Sequence, residues 1–374
     1  MLSTAIRFIL YDKPKSLGVL AGIVISIFLV GQQVGIFIFL TDAMKSIVAN
    51  NNGYIWIVDP KTDDANQLAG LDMRVGRQAA SIEGVERVYP VVITAGAARF
   101  ENGKTAGMTI VGAEAPDFVG GPWGLFSARR EDMLPEGAII TEFFDKKTFG
   151  SVRPGEYFEL NGKKVYNAGF TKGVRGFGGA PYVFTTIERA RALGNFSTDQ
   201  ASLFLVKWKT GYTKEQVIAH LNRSIPNIRA WDADALAAST VSNILASSGI
   251  ALSVGSLVFF AIISGFVIIG LTLYSAAIDR LRDYGTLKAI GASDGYITRL
   301  ILLQAFLISL LGFLLGYALV EGFRNGVAQA GTVFRFPPEI RIGFFLLTLF
   351  IALGGSLFAI RKIKRLEPAA IFRG

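Results

Sequence analysis

The chain has no cysteine among its 374 residues, so it forms no disulfide and offers no thiolate to a metal or a substrate. Its single histidine, His220, stands without a second histidine or a carboxylate at metal-ligand spacing, and it reads as a surface residue. No Ser/His/Asp set, no carboxylate pair in a recognisable frame and no metal box can be assembled. The expectation is a protein that is not an enzyme, with no catalytic residue, no metal site and no cofactor of its own. Charge is scarce too. Only 18% of residues are charged against 51% apolar, and the mean hydropathy of +0.43 is too high for a purely soluble protein and too low for a wholly membrane-buried bundle. A membrane part joined to a water-soluble part is expected.

Four long uncharged runs supply the membrane part: 16–41, the stretch around 249–278, 300–320 and 342–360, each long enough to cross about 30 Å of hydrocarbon. The first exceeds a signal-peptide core of about 7 to 15 residues and continues through Gln32 and Gln33 without a small-x-small cleavage site, so it reads as an uncleaved anchor. The fold class is an α-helical membrane protein with four transmembrane helices and a large extracytoplasmic mixed α/β domain inserted between the first and second. The expected divisions are an amphipathic N-terminal segment (1–16), a first span (17–41), the α/β domain (42–248), a second span (249–278), a loop (279–299), a third span (300–320), an external loop (321–341), a fourth span (342–360) and a tail (361–374).

Charge sets the orientation. The N-terminal segment carries Arg7, Lys13 and Lys15, the 279–299 loop Arg280, Arg282, Lys288 and Arg299, and the tail Arg361, Lys362, Lys364, Arg365 and Arg373. These twelve basic residues face only five acidic ones (Asp12, Asp279, Asp283, Asp294, Glu367), which places all three segments, and so both termini, on the cytoplasmic side. Residues 42–249 hold 23 Lys/Arg against 22 Asp/Glu, so the net charge of +9 comes from the flanks of the spans and does not mark a nucleic-acid-binding face.

Within the first span Gly18, Gly22 and Ser26 recur every four residues and Gly31 and Gly35 repeat the spacing; Gly312 and Gly316 do so in the third span. Small residues at this interval let helices approach closely. Gly22, Ser26, Gln32 and Gln33 are therefore candidates for contact with a substrate or a second copy of the chain inside the membrane; the plainer reading is packing and hydrogen bonding between helices of one chain.

The soluble part alternates strand and helix patterns. GYIWIVDP reads as a strand, Asp72 to Ile82 as a helix, VERVYPVVITAGAARF as a strand, and Asn102-Gly103 and Asn161-Gly162 as hairpin turns. Thr186 to Leu193 reads as a short helix, SLFLVKW as a strand and Thr213 to Ser224 as an amphipathic helix. Gly103-Lys104-Thr105 lacks the first glycine of a phosphate-binding loop, where Ala98 stands, and Arg175 to Pro181 lacks dinucleotide-fingerprint spacing and reads as a mobile loop.

The 279–299 loop carries the chemistry. Arg282 to Ser293 (RDYGTLKAIGAS) reads as a short helix weakened by Gly285 and ended by Gly291, with Ser293 or Asp294 capping the next helix. Gly285, Ala289, Gly291 and Ala292 leave little bulk, so another protein's surface can come close, and Arg280, Arg282 and Lys288 supply charge for an acidic partner; the competing reading is a basic loop lying on anionic lipid headgroups.

The order R-x-x-D-Y-G-T-L-K-A-I-G-A directly after a spanning run resembles the motif of FtsX/MacB-type permeases, and Leu366-Glu367-Pro368-Ala369-Ala370-Ile371-Phe372-Arg373 resembles their closing L-x-P-A-x-x-x-R pattern. The likeness covers the whole chain and extends to the stand-alone DevC-like branch. Two positions depart from the pattern: Asp283 and Gln304 stand where a glutamate is usual. The resemblance implies that the loop is a coupling segment docking on a separate ABC ATPase, with Arg280, Arg282, Asp283, Tyr284, Gly285, Leu287, Lys288, Ala289, Gly291, Ala292 and Ser293 at the interface. It implies ATP and Mg in that partner, a permease working as a homodimer in the bacterial inner membrane, a periplasmic membrane-fusion adaptor with an outer-membrane channel, and transmission of ATP-driven motion to the extracytoplasmic domain. It fits export of an amphipathic molecule, or alternatively a signalling subunit that activates a cell-wall hydrolase without transport.

Overall fold

The computed structural model describes residues 2–11, 13–279 and 281–364. In chain order the elements are α1 (Leu2–Tyr11), α2 (Lys13–Met44), α3 (Ser46–Ala49), β1 (Ile55–Val58), β2 (Leu71–Asp72), α4 (Met73–Ala80), β3 (Val85–Arg99), β4 (Thr105–Ala113), β5 (Ala138–Glu142), β6 (Tyr157–Leu160), β7 (Lys163–Thr171) and β8 (Tyr182–Thr186). There follow α5 (Ile187–Gly194), β9 (Gln200–Ala201), β10 (Leu203–Trp208), α6 (Lys214–Ser224), β11 (Arg229–Trp231), α7 (Ala233–Ser248), α8 (Ile250–Asp279), α9 (Leu281–Ala289), α10 (Asp294–Gln329) and α11 (Pro338–Lys364). The chain divides into two compact units: residues 1–38, 251–328 and 332–374 form one, and residues 39–250 with 329–331 the other.

In the α/β unit, nine strands run in the order β11-β1-β10-β3-β4-β8-β5-β7-β6, and β6 pairs again with the end of β3 at Ala98–Leu160 and Arg99–Glu159. The fifteen-residue β3 is the hinge of this topology. Its first half pairs with β10 and its second half with β4 and β6, so one strand serves a four-stranded lobe and a closed six-stranded ring. Alternation along β1 explains why it is buried on both faces. Ile55 and Ile57 enter the core under α4 and α6, while Trp56 and Val58 enter the core under α3 and α7. The ring has its own core, from Val92 and Ile110 to Phe158, Leu160 and Val183, closed by Ile187, Ala190 and Leu193 of α5.

Turn chemistry works as the residue types demand. Leu160 pairs with Lys163 across a two-residue loop in which Asn161 (φ 50°) and Gly162 (φ 75°) both take the left-handed conformation of a type I′ turn. Arg99 pairs with Thr105, and the Gly103 N–H donates to Phe100 O at 2.9 Å, a longer loop with Gly103 left-handed; Gly103-Lys104-Thr105 is thus a hairpin end. Thr186 and Thr213 accept at the N-termini of α5 and α6 from Arg189 N and Gln216 N.

In the helical unit, three helices are long and apolar enough among the described residues to cross a membrane: 16–44 within α2, 250–268 within α8, and α10. The fourth uncharged run lies inside α11, a 27-residue helix outside that set of three. α10 is central, with Ile297, Ile301, Ala305, Ile308, Gly312, Gly316 and Val320 buried at intervals of three and four. A methyl group on Gly312 would lie 2.4 Å from Ile23 Cγ2, and one on Gly31 2.5 Å from Val320 Cγ2, so these glycines set how closely α2 and α10 pack. Pro14 sits at the second position of α2, where its missing N–H costs no helical bond.

Candidate functional site

The 281–293 segment is a rooted helix followed by an exposed knob. Tyr284, only 2% exposed, anchors α9 in a core with Ala5 of α1, Ile297, Leu300 and Ile301 of α10 and Ile360 of α11. Gly285 is buried beside it, and Leu287 packs partly against the same core. The helix ends in a Schellman motif: Ala292 N–H donates to Leu287 O at 2.9 Å, Gly291 N–H to Lys288 O at 3.0 Å, and Gly291 has φ +97°, which only glycine adopts without strain. Ser293 is the cap of α10, its Oγ accepting from Tyr296 N at 3.2 Å. This tight turn leaves Ile290 77% exposed, between the exposed Ala289 and Gly291, with Arg282, Asp283 and Ser293 also exposed and Ala292 half-buried. Arg280 and the closing pattern from Leu366 to Arg373 lie outside the described residues.

Two placements differ from the sequence reading. Lys288 is turned inward, its side chain 12% exposed and its Nζ 2.7 Å from Asp294 Oδ1, so its charge holds the α9–α10 turn together and is not presented to a partner. Ile290, absent from the expected interface residues, is the largest apolar group that the segment presents. The signal for it was an isoleucine immediately before a helix-ending glycine, where the chain turns outward.

The intramembrane candidates are mostly used inside the chain. Ser26 Oγ donates to Gly22 O at 2.8 Å, both residues are buried, and a methyl on Gly265 of α8 would meet Ser26 Oγ at 2.6 Å. Gly22 and Ser26 thus serve hydrogen bonding and helix packing within one chain, the plainer of the two readings. Gln32 and Gln33 are half-buried. Gln304 is buried on α10 with Nε2 meeting no acceptor among the described residues.

In the α/β unit, the chain's entry and exit are clipped together. α3 and α7 share one core through Ile47, Val48, Ala233, Leu236 and Ala237. The 59–67 loop bonds both sides: Asn66 Nδ2 donates to Met44 O at 2.8 Å, Thr240 Oγ1 accepts from Ala65 N at 3.0 Å, and Ser239 Oγ donates to Asp63 O at 2.9 Å. α7 ends at Gly249, left-handed at φ +68°. The unit also holds residues 329–331, because Arg175 donates from Nε to Gly331 O at 3.1 Å and from Nη1 to Asp145 Oδ1 at 2.5 Å. The Arg175 to Pro181 stretch, read as a mobile loop, is irregular but pinned at this first residue.

Beside that pair, the fully buried Glu142 accepts from Thr171 Oγ1 (2.7 Å), Gly173 N (2.8 Å), Val174 N (3.2 Å) and Phe144 N (3.3 Å). Burial pushes its carboxyl above the ordinary 4.5, and the four donors only partly offset this. A carboxyl raised by folding binds its proton more tightly in the native state, so between 4.5 and its native value stability rises as pH falls. All four tryptophans (Trp56, Trp123, Trp208, Trp231) lie in this unit, so their fluorescence follows its melting alone. The melting temperature of wild type relative to Glu142→Gln is expected to climb as pH falls towards 4.5; parallel curves down to that pH would show that folding does not raise the Glu142 carboxyl.

The model of the MacB-like periplasmic core domain family matches residues 16–224, and that of the FtsX-like permease C-terminal family matches residues 255–368. Among solved structures, the periplasmic region of MacB from Actinobacillus actinomycetemcomitans is similar at 11% identity and TM-score 0.37, over 54% of this chain and 98% of that one. The extracellular domain of the noncanonic ABC-type transporter YknZ from Gram-positive bacteria is similar at 14% identity and TM-score 0.35, over 48% and 99%. A domain of a putative permease from Porphyromonas gingivalis is similar at 15% identity and TM-score 0.33, over 48% and 89%. No curated relative matches the chain.

Proposed function

Since the chain belongs to the FtsX/MacB-type permease family, we propose that it is the membrane subunit of an ABC-type exporter, carrying ATP-driven motion from a separate ATPase to its extracytoplasmic α/β unit and expelling or extracting an amphipathic substrate. The observation that carries this reading is the knob at Ile290. A large apolar side chain held out at the end of a rooted helix, with only small neighbours in the chain at Ala289 and Gly291 and with Arg282 and Asp283 exposed earlier on the same helix, suits a groove on another protein. ATP and Mg belong to that partner. α11 is the fourth span, supported by the uncharged run 342–360 and by the Phe313–Phe345 contact with α10 at 5.2 Å. With four spans and basic flanks, the N-terminal segment, the 279–299 segment and the tail face the cytoplasm of a bacterial inner-membrane protein. Residues 42–248 and the 321–341 connection face outwards. The working state is a homodimer, and a periplasmic adaptor with an outer-membrane channel completes the export path.

The test is whether the purified full chain binds the ATPase encoded beside it and changes its rate of hydrolysis. Binding and stimulation are the expected result. A folded chain that neither binds nor stimulates that ATPase removes the exporter reading. Stimulation that answers to a secreted cell-wall hydrolase and to no amphipathic solute would move the assignment to transmembrane signalling.

A further inference from the structure

The inner half of the helical unit carries a notch that coupling does not use. Ile9 of α1, Leu17 and Leu20 of α2, and Ile308 and Leu311 of α10 wall a groove of about 220 Å³, larger than the roughly 150 Å³ cavity that accepts a benzene ring. Its two polar residues are Lys13 and Ser16. Ser16 Oγ already donates to Ile9 O at 2.7 Å, a bond that fixes the corner between α1 and α2. Lys13 is exposed and lines the groove through its alkyl stem, which leaves its ammonium for the rim of the groove, and no carboxylate among the described residues pairs with it. Lys13 is also the first residue of α2, where the partial positive charge of the helix N-terminus adds to its own.

We propose that this groove binds an anionic phospholipid, with an acyl chain along the apolar wall and the phosphate at Lys13. Three independent features converge on that ligand. The wall is apolar, and Leu17 and Leu311 are more than half exposed on it, so it opens sideways to the bilayer. The rim carries a cation. The segment around it is net basic, with Arg7, Lys13 and Lys15 against Asp12, and on the orientation proposed above it faces the leaflet where anionic lipids concentrate. The notch has a fixed shape, because Ala5 locks α1 into the core that also holds Tyr284. A lipid seated there braces α1 and, through that core, the base on which α9 stands.

The test reads lipid binding directly and needs neither transport nor a known orientation, so it can fail while the exporter reading stands. The full chain is purified in detergent with equimolar phosphatidylglycerol and phosphatidylcholine of matched dioleoyl chains, and retained lipid is counted by native mass spectrometry. Phosphatidylglycerol is expected to be retained with roughly five-fold preference, the factor given by one lysine at an anionic lipid. Lys13→Ala should abolish the preference, Arg299→Ala, which removes a basic charge outside the groove, should leave it, and Leu311→Trp should displace the lipid by filling the notch. Equal retention of the two lipids overturns the proposal, as does loss of preference to the same degree in Arg299→Ala, which would mean diffuse charge. Undiminished lipid in Leu311→Trp with native helix content would place the lipid elsewhere and overturns it as well.

Discussion

Replacing Ile290 with glutamate is expected to weaken binding of the partner ATPase by about 30-fold, corresponding to about 2 kcal/mol for a central apolar anchor, and to abolish stimulation of hydrolysis at concentrations that saturate wild type. The size of the effect follows from geometry. Ile290 is 77% exposed, stands between Ala289 and Gly291, and projects from a turn fixed by two backbone hydrogen bonds and the Lys288–Asp294 pair. The native chain therefore loses little when the side chain changes, and melting should be nearly unaltered. Arg282→Glu should act differently: an exposed charge at the rim steers encounter, so its loss slows association and flattens the salt dependence. Lys288→Glu is a poor probe of docking because it sets two carboxylates against each other at the α9–α10 turn. Binding unchanged in Ile290→Glu would move the docking surface away from this knob.

Much of this arrangement was legible in the sequence wherever a local rule decides the outcome. Uncharged length marks three of the four expected spans, Asn161-Gly162 forces its turn, Thr186 and Thr213 cap their helices, and Gly291 ends α9. What was not legible depends on partners far apart in the chain. The alternation in β3 identifies a strand, but nothing in it says that Val91 serves one core and Val92 another, or that its last residues pair with β6. The four-residue glycine spacing announces close helix approach without naming the neighbour; Ile23 and Val320 of the same chain turn out to occupy it. Lys288 looks like a free cation in one dimension, and only the turn at Gly291 brings Asp294 under it. The same turn exposes Ile290, which by composition alone belongs in a core.

The tie at residues 329–331 supports the second large effect. Asp145→Ala is expected to lower the melting temperature of the α/β unit by about 10 °C, followed by tryptophan fluorescence. Arg175 and Asp145 are only 20% and 17% exposed, and removing one partner of such a pair leaves a largely buried charge uncompensated, at about 3 kcal/mol. For a unit of this size each kcal/mol moves the midpoint by about 2–4 °C. Burial also holds the Asp145 carboxyl above its ordinary range despite the arginine, so desolvation is already a strain on the native pair. Replacing both partners, as in Asp145→Ala with Arg175→Met, should then recover most of the loss, because no buried charge remains. The variants separate again in hydrogen exchange around Gly331. Its carbonyl accepts from Arg175 Nε, so exchange in that stretch should quicken in the double variant even though stability returns. Unchanged exchange around Gly331 in the double variant would show that other contacts hold this stretch.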